Sequence, residues 1–133
     1  MRVRGEVVAD GGPGILVLVG VTHEDRPDTA SKLARRVAGL RIFEDDQGKM
    51  NLDLAQVKGG VVVVPQFTLY GDTSHGRRPS WIAAAPPQLA SELVETFALE
   101  LEGLGATVRR GAFREHMEVE LVNDGPVTLL LEA

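Results

Sequence analysis

The chain has 133 residues, no cysteine, a formal net charge of −5, 44% hydrophobic residues and 25% charged residues. That length suits a single domain with one core, and the lack of cysteine excludes disulfides and thiolate metal sites and fits a cytoplasmic protein. The acidic total excludes a broadly basic coat while leaving room for a local basic patch, and no apolar run approaches the roughly 20 residues that a membrane helix needs.

Residues 2–8 read as a strand in which Val3 faces opposite to Arg2 and Arg4; this alternation is not that of a signal peptide. Asp10, Gly11, Gly12, Pro13 and Gly14 supply turn chemistry. Residues 15–21 are a continuous apolar run, so the two segments are expected to form a β-hairpin. The glycines are not followed by the Gly-Lys-Ser/Thr of a phosphate loop. After a polar loop at 23–28, Asp28 or Thr29 can cap a helix reaching about residue 40. Ala30, Leu33, Ala34, Val37 and Leu40 fall on its inner face, with Arg35 and Arg36 outside. Arg41, Ile42 and Phe43 form a short strand. Residues 44–51 (EDDQGKMN) make an acidic turn that lacks the ligand spacing of a calcium loop, although Lys49 and Asn51 are placed to touch a ligand.

Residues 61–81 (VVVVPQFTLYGDTSHGRRPSW) are the informative stretch. Four consecutive valines suit a strand buried on both faces. Pro65 removes a donor and holds Val64 extended. Two readings follow. In one, the ladder stops and Gln66, Phe67 and Thr68 form a polar turn whose amide, hydroxyl and backbone N–H groups can hold a carbonyl or oxyanion. In the other, the strand kinks and continues through residues 67–70. Residues 71–80 form a loop in which Arg77 and Arg78 offer paired donors suited to phosphate, or a solvated surface.

Pro86 and Pro87 open a second helix whose face is Leu89, Leu93, Phe97 and Leu101, with Leu104 beyond and Gly105 as the stop. Residues 106–111 and 117–122 are expected as strands, the second half-buried by its alternation. Residues 123–126 turn, and 127–131 form the last strand. There is no Gly-x-Ser-x-Gly elbow, and His23, His75 and His116 lie far apart in sequence without metal-ligand spacing. The expectation is therefore no metal, no cofactor and no side-chain triad.

Gln66, Phe67, Thr68 and Leu69, together with residues 123–128 (NDGPVT), resemble the two motifs of the D-aminoacyl-tRNA deacylases. Residues 41–43, 48–51 and 78–80, with Phe113 and Met117, match in the same order, so the resemblance runs from about Val3 to the C-terminus. It implies a mixed α/β single domain, 1–133, with antiparallel-rich, barrel-like sheets and two packing helices. It also implies a homodimer with its active site at the subunit interface. The partners implied are the 3′ end of aminoacyl-tRNA, with no DNA and no membrane. The reaction implied is hydrolysis of the ester of D-aminoacyl-tRNA, and of glycyl-tRNA mischarged on tRNA-Ala.

The same resemblance assigns roles. Gln66, Phe67 and Thr68 would carry catalysis, the N–H groups of Phe67 and Thr68 binding the ester carbonyl and its oxyanion. The substrate's ribose 2′-hydroxyl would help to activate water, and Thr68 would position rather than attack. Gly125 and Pro126, joined by a cis peptide and flanked by Asn123, would reach into the partner's pocket and exclude L side chains. Phe113 and Met117 would pack near the terminal adenine or simply fill the core, and Arg77 and Arg78 would meet phosphates. Pro65 stands where the family usually has serine, so its fixed φ would hold the loop. Compared with the family, either the start site is misassigned or the chain lacks the family's first N-terminal strand, and with it the family arginine that helps to fix the Gly-Pro turn. Two other readings stand beside this one: a non-enzymatic dimeric RNA-binding module with the same fold, and an esterase of small esters. Against the latter, a chiral filter at Gly125 and Pro126 has no use on achiral substrates.

Overall fold

The computed structural model describes residues 1–7 and 13–133. At its centre lie three parallel strands, β3 (Gly14–Val19), β6 (Gly60–Pro65) and β7 (Thr107–Arg110), in the order β3-β6-β7. Parallel neighbours cannot be joined by a tight turn and need a crossover, usually helical. Helix α1 (Pro27–Gly39) lies on the first connection and α2 (Pro87–Gly103) on the second. The two helices pack on each other, and α2 packs on β6 and β7.

The valine run behaves as its composition requires. Val61 and Val63 join the core cluster with Ala34, Val37, Leu93, Phe97 and Leu101. Val64 takes the opposite face by strand alternation and is also fully buried. In α1 the buried residues are Ala30, Ala34 and Val37, with Leu33 packed beside them. The helix starts earlier than the expected cap, and the Thr29 hydroxyl accepts a hydrogen bond from the Arg26 N–H at 3.2 Å. Helix α2 ends in a Schellman arrangement. Gly105 (φ +94°) donates to the Glu102 carbonyl at 3.0 Å, and Ala106 to that of Leu101 at 3.1 Å.

The remaining sheets are small and antiparallel. β1 (Arg2–Val3) pairs with β2 (Glu6–Val7) and with β8 (Met117–Glu118). β4 (Phe43–Glu44) pairs with β5 (Met50–Leu52). Mixed α and β content, two packing helices and antiparallel sheets are thus present. The described sheets do not close into a barrel, because they form three separate sets and the longest strands are parallel.

Four expectations are corrected. The strand over 2–8 folds back at Arg4 and Gly5, both at positive φ (51° and 82°), as a two-residue hairpin turn demands. Among the described residues β3 pairs with β6 rather than with the N-terminal strand, so the expected hairpin is not formed; the glycine turn at 10–12 lies outside the described residues. Among the described residues the strand expected over 117–122 pairs only at Met117 and Glu118, since its partner β1 is two residues long. Residues 127–131 form no ladder among the described residues.

Phe97→Ala is expected to destabilise the fold by about 3–5 kcal/mol, as truncation of a buried aromatic does. Leu99→Ala, on the exposed face of α2, is expected to stay within about 0.5 kcal/mol. Urea midpoints at unchanged slope check both.

Candidate functional site

The site is built where β6 ends. Gly111 N–H donates to the Val63 carbonyl at 2.8 Å, the last rung between β6 and β7. By alternation Pro65 faces that same side, beyond the end of β7, so its missing N–H removes no ladder bond. On the other side Gln66 N–H still donates to the Val19 carbonyl, at 2.7 Å. The strand is therefore released on one edge and held on the other. It winds into a 3₁₀ turn, Phe67–Tyr70, rather than continuing as a strand.

Within the turn, Leu69 N–H donates to the Gln66 carbonyl at 3.2 Å and Gly71 N–H to that of Thr68 at 3.0 Å. The N–H groups of Phe67 and Thr68 open the turn, where no preceding carbonyl is in register to accept them, and neither has a partner among the described residues. The Thr68 hydroxyl accepts from the Gln66 side-chain amide. Phe67 is 54% exposed and meets Trp81 edge to face, with ring centroids 5.4 Å apart and planes at 75°. Tyr70 turns inward. Burial raises its hydroxyl above the usual value, and the charges of Asp25 and Glu132 add to that.

Two glycines allow this packing. A Cβ at Gly20 would lie 3.1–3.2 Å from Leu69 Cβ, the Gln66 carbonyl oxygen and Tyr70 Cδ2. A Cβ at Gly71 would lie 2.4 Å from Trp81 Cζ3 and 3.0 Å from the Thr68 carbonyl oxygen. The loop that returns Trp81 to the turn is closed at its base, where Asp72 and Ser80 exchange two backbone hydrogen bonds of 2.8 Å. The Asp72 carboxylate also accepts from Ser74 N–H at 2.8 Å and from its hydroxyl at 2.5 Å, and these bonds hold its pKa below the usual value. Arg77 and Arg78 are exposed on this loop, and neither forms an ion pair among the described residues. An open groove of about 590 Å³ runs beside it, lined by Thr22, His23, Asp72, His75, Ser80 and Ile82.

The other expected site residues are placed differently. Phe113 packs against the core cluster. Met117 pairs with Val3 and lies over Gly111, where a Cβ would be 3.3 Å from its sulfur. Asn123 Nδ2 reaches the Thr128 hydroxyl at 3.4 Å, and the Gly125–Pro126 peptide bond is cis. Within one chain no hydrogen bond links residues 123–128 to 66–70 among the described residues. Asn51 is occupied internally, accepting from Arg41 through its carbonyl groups and donating to Asp45 at 3.1 Å. No group of three or more His, Asp or Glu among the described residues is arranged to hold a metal ion, and no described helix is long and apolar enough to cross a membrane. Sequence reading did not single out Gly20, Gly71 or Trp81. Their signal was faint: a glycine directly after the turn and an aromatic ten residues further on.

A sequence model of the family described as D-Tyr-tRNA(Tyr) deacylase matches residues 1–132. The chain belongs to this family. A D-aminoacyl-tRNA deacylase of Thermomicrobium roseum is 56% identical over 133 residues, covering 100% of this chain and 86% of that protein. One from Symbiobacterium thermophilum is 53% identical, covering 100% and 88%. One from Deinococcus radiodurans is 51% identical over 130 residues, covering 98% and 90%. Among solved structures, one described as c-Myc DNA Unwinding Element Binding Protein superposes with a TM-score of 0.91 at 32% identity, covering 99% of this chain and 90% of that one. A second, of a probable eukaryotic D-amino acid tRNA deacylase, has a TM-score of 0.73 at 14% identity and covers 87% and 83%, a likeness of fold. In this member of the deacylase family, the two motifs that carry the resemblance are the 3₁₀ turn and the turn at 123–128.

Gly71→Ala is expected to push the tryptophan ring off the turn. Because Trp81 is the chain's single tryptophan, its emission maximum should move and the melting temperature fall. Gly39→Ala, where an added Cβ meets nothing within 4 Å and the helix gains a better former, should leave the emission unchanged and should not lower the melting temperature. A depressed carboxylate pKa contributes stability above the unfolded pKa that is lost as pH falls through the folded one. Accordingly, the contribution of Asp72 should be intact at neutral pH and lost in acid, below the ordinary aspartate range. Tryptophan emission followed in an acid titration of wild type and Asp72→Ala should show an extra step in wild type only.

Proposed function

We propose that the chain hydrolyses the ester joining a D-amino acid to the 3′-terminal ribose of tRNA, with the turn of Phe67–Tyr70 as the catalytic element. The observation that carries this reading is the pair of N–H groups on Phe67 and Thr68 that have no partner among the described residues, in a chain that matches the deacylase family over nearly its whole length. Two fixed backbone donors suit an ester carbonyl whose oxygen gains charge as water adds, and such preorganised donors lower the barrier without reorganising. The ribose 2′-hydroxyl of the substrate would assist the attacking water. Collapse of the tetrahedral intermediate would then expel the ribose 3′-oxygen, which takes up a proton. Thr68, its hydroxyl already engaged by Gln66, positions the ester rather than attacking it.

Selection against L-aminoacyl groups would come from Gly125 and Pro126 of a second copy. The absence of any hydrogen bond between 123–128 and 66–70 within one chain supports a supply from outside. So does the apolar surface around that turn, where Leu121, Val122, Leu129 and Leu130 are all exposed, Val122 by 92%. A wall of backbone cannot rotate away as a side chain can, and it discriminates by clash rather than by added attraction. Glycine, lacking a side chain, would pass it, so glycyl-tRNA mischarged on tRNA-Ala is a second proposed substrate. Arg77 and Arg78 would meet the acceptor-end phosphates, and Phe113 and Met117 would border the terminal adenine. The setting proposed is the cytoplasm.

Single-turnover hydrolysis of D-tyrosyl-tRNA beside L-tyrosyl-tRNA, without added metal, tests the reading: rapid loss of the D-ester alone is expected. Silence on both would favour an RNA-binding module without turnover. A Cβ at Gly125 would meet its own chain at 3.4 Å or more, which is ordinary contact, so Gly125→Ala should fold. Its D-over-L rate ratio is expected to change about tenfold or more, equivalent to about 1.4 kcal/mol, and an unchanged ratio would count against the filter.

A further inference from the structure

The 3₁₀ turn is held only in part by its own hydrogen bonds. The i to i+3 bonds that close it, among them those donated by Leu69 and Gly71, are of poorer geometry than those of an α-helix. Its orientation depends on what packs against it. On the inner side this is the end of β3, at Gly20. On the outer side it is the ring of Trp81, which meets Phe67 edge to face and covers Gly71 so closely that no side chain fits between them. Trp81 is itself 42% exposed and so contributes modestly to the core. Its place is nonetheless fixed. The Asp72–Ser80 bridge closes the loop before it, and Ala84 N–H donates to its carbonyl at 3.0 Å behind it. The next residue, Ala85, donates to the Val21 carbonyl at 2.9 Å, tying this segment to the chain just beyond β3.

We propose that Trp81 is a positioning residue for the hydrolysis: its ring, set against Phe67 and over Gly71, fixes the turn so that the Phe67 and Thr68 N–H groups are presented as a rigid pair of donors. This rests on the deacylase reading of the turn given above. Without the ring edge, half-exposed Phe67 is free to change rotamer, and space opens over Gly71 into which the turn can relax. Donors act on a developing oxyanion only while held in register with it, and a displacement of about 1 Å can cost on the order of 100-fold in rate. A smaller loosening is expected here, because Gly20 and the Gln66–Val19 bond still hold the inner side. Phenylalanine at position 81 keeps an aromatic edge at the contact, whereas leucine of similar bulk does not.

The experiment compares the full-length wild type with W81L and W81F. Its readouts are the single-turnover rate at saturating D-tyrosyl-tRNA, the affinity for uncharged tRNA, the urea midpoint, and the backbone amide resonances of Phe67 and Thr68. W81L is expected to be slower by about tenfold, given the rate sensitivity to misplacement. Its tRNA affinity should be unchanged, and its Phe67 and Thr68 amides should shift and broaden. W81F should restore both rate and resonances. A wild-type rate in W81L, an equal loss in W81F, or a loss that follows tRNA affinity or unfolding would overturn the proposal. If the wild type itself leaves the D-ester intact, the deacylase reading fails, and unperturbed amides in W81L would independently dismiss the hold on the turn.

Discussion

The asymmetric ending of the middle strand is the constraint on which the candidate site depends. β6 is gripped by β3 along its whole length on one edge and by β7 as far as Val63 on the other, and Val61, Val63 and Val64 are buried on its two faces. At Val63 the grip of β7 ends with the bond from Gly111, while that of β3 continues to Gln66. Pro65 occupies a position on the strand where a missing N–H removes no ladder bond. The chain leaves the sheet at a fixed point with a fixed direction, and the first donors after it have no rung to join. Backbone donors pre-set on a rigid strand end are the raw material of a site that binds developing negative charge.

Small residues and one aromatic then convert a released segment into a defined turn. Gly20 lets the end of β3 lie against the turn's backbone, and Gly71 lets the Trp81 ring close over it. A Cβ at Gly71 would overlap the Trp81 ring, and one at Gly20 would force its neighbours to give by a few tenths of an ångström, so the two glycines act by what they lack. The loop between Gly71 and Trp81 is held shut by its Asp72–Ser80 bridge and by the carboxylate of Asp72 on Ser74. Arg77 and Arg78 lie at its exposed part with no ion pair among the described residues, where positive charge can meet phosphate at low desolvation cost.

The C-terminal segment shows the opposite situation. Its alternating and apolar sequence reads as strands, yet among the described residues only Met117 and Glu118 find a ladder partner, because β1 offers two residues. Leu121, Val122, Leu129 and Leu130 consequently remain in water around the Gly125–Pro126 turn. Apolar side chains grouped in this way around a turn of unusual backbone are what a contact surface needs. In the proposed dimer they would be covered while the turn enters the partner's pocket.

The chain's own order settled whatever depends on neighbours a few residues apart. Apolar spacing marked the inner faces of α1 and α2, Gly105 marked the end of α2, and the valine run marked a strand buried on both sides. The motif residues Gln66 to Leu69 and 123–128 were likewise readable, because each is a contiguous string. Pairing was not readable in the same way. The local pattern around residues 2–21 favours a hairpin, while β3 in fact lies parallel to a strand some 40 residues away, and only the helical crossover between them could have suggested it. The choice between a continuing strand and a 3₁₀ turn after Pro65 turned on where β7 stops, at Arg110, far downstream in the chain. Trp81 over Gly71, and Gly20 under Leu69, are likewise contacts between segments that no local pattern relates. Local sequence governs backbone preference and facing; which edge is paired and which donors stay free follows from where distant strands begin and end.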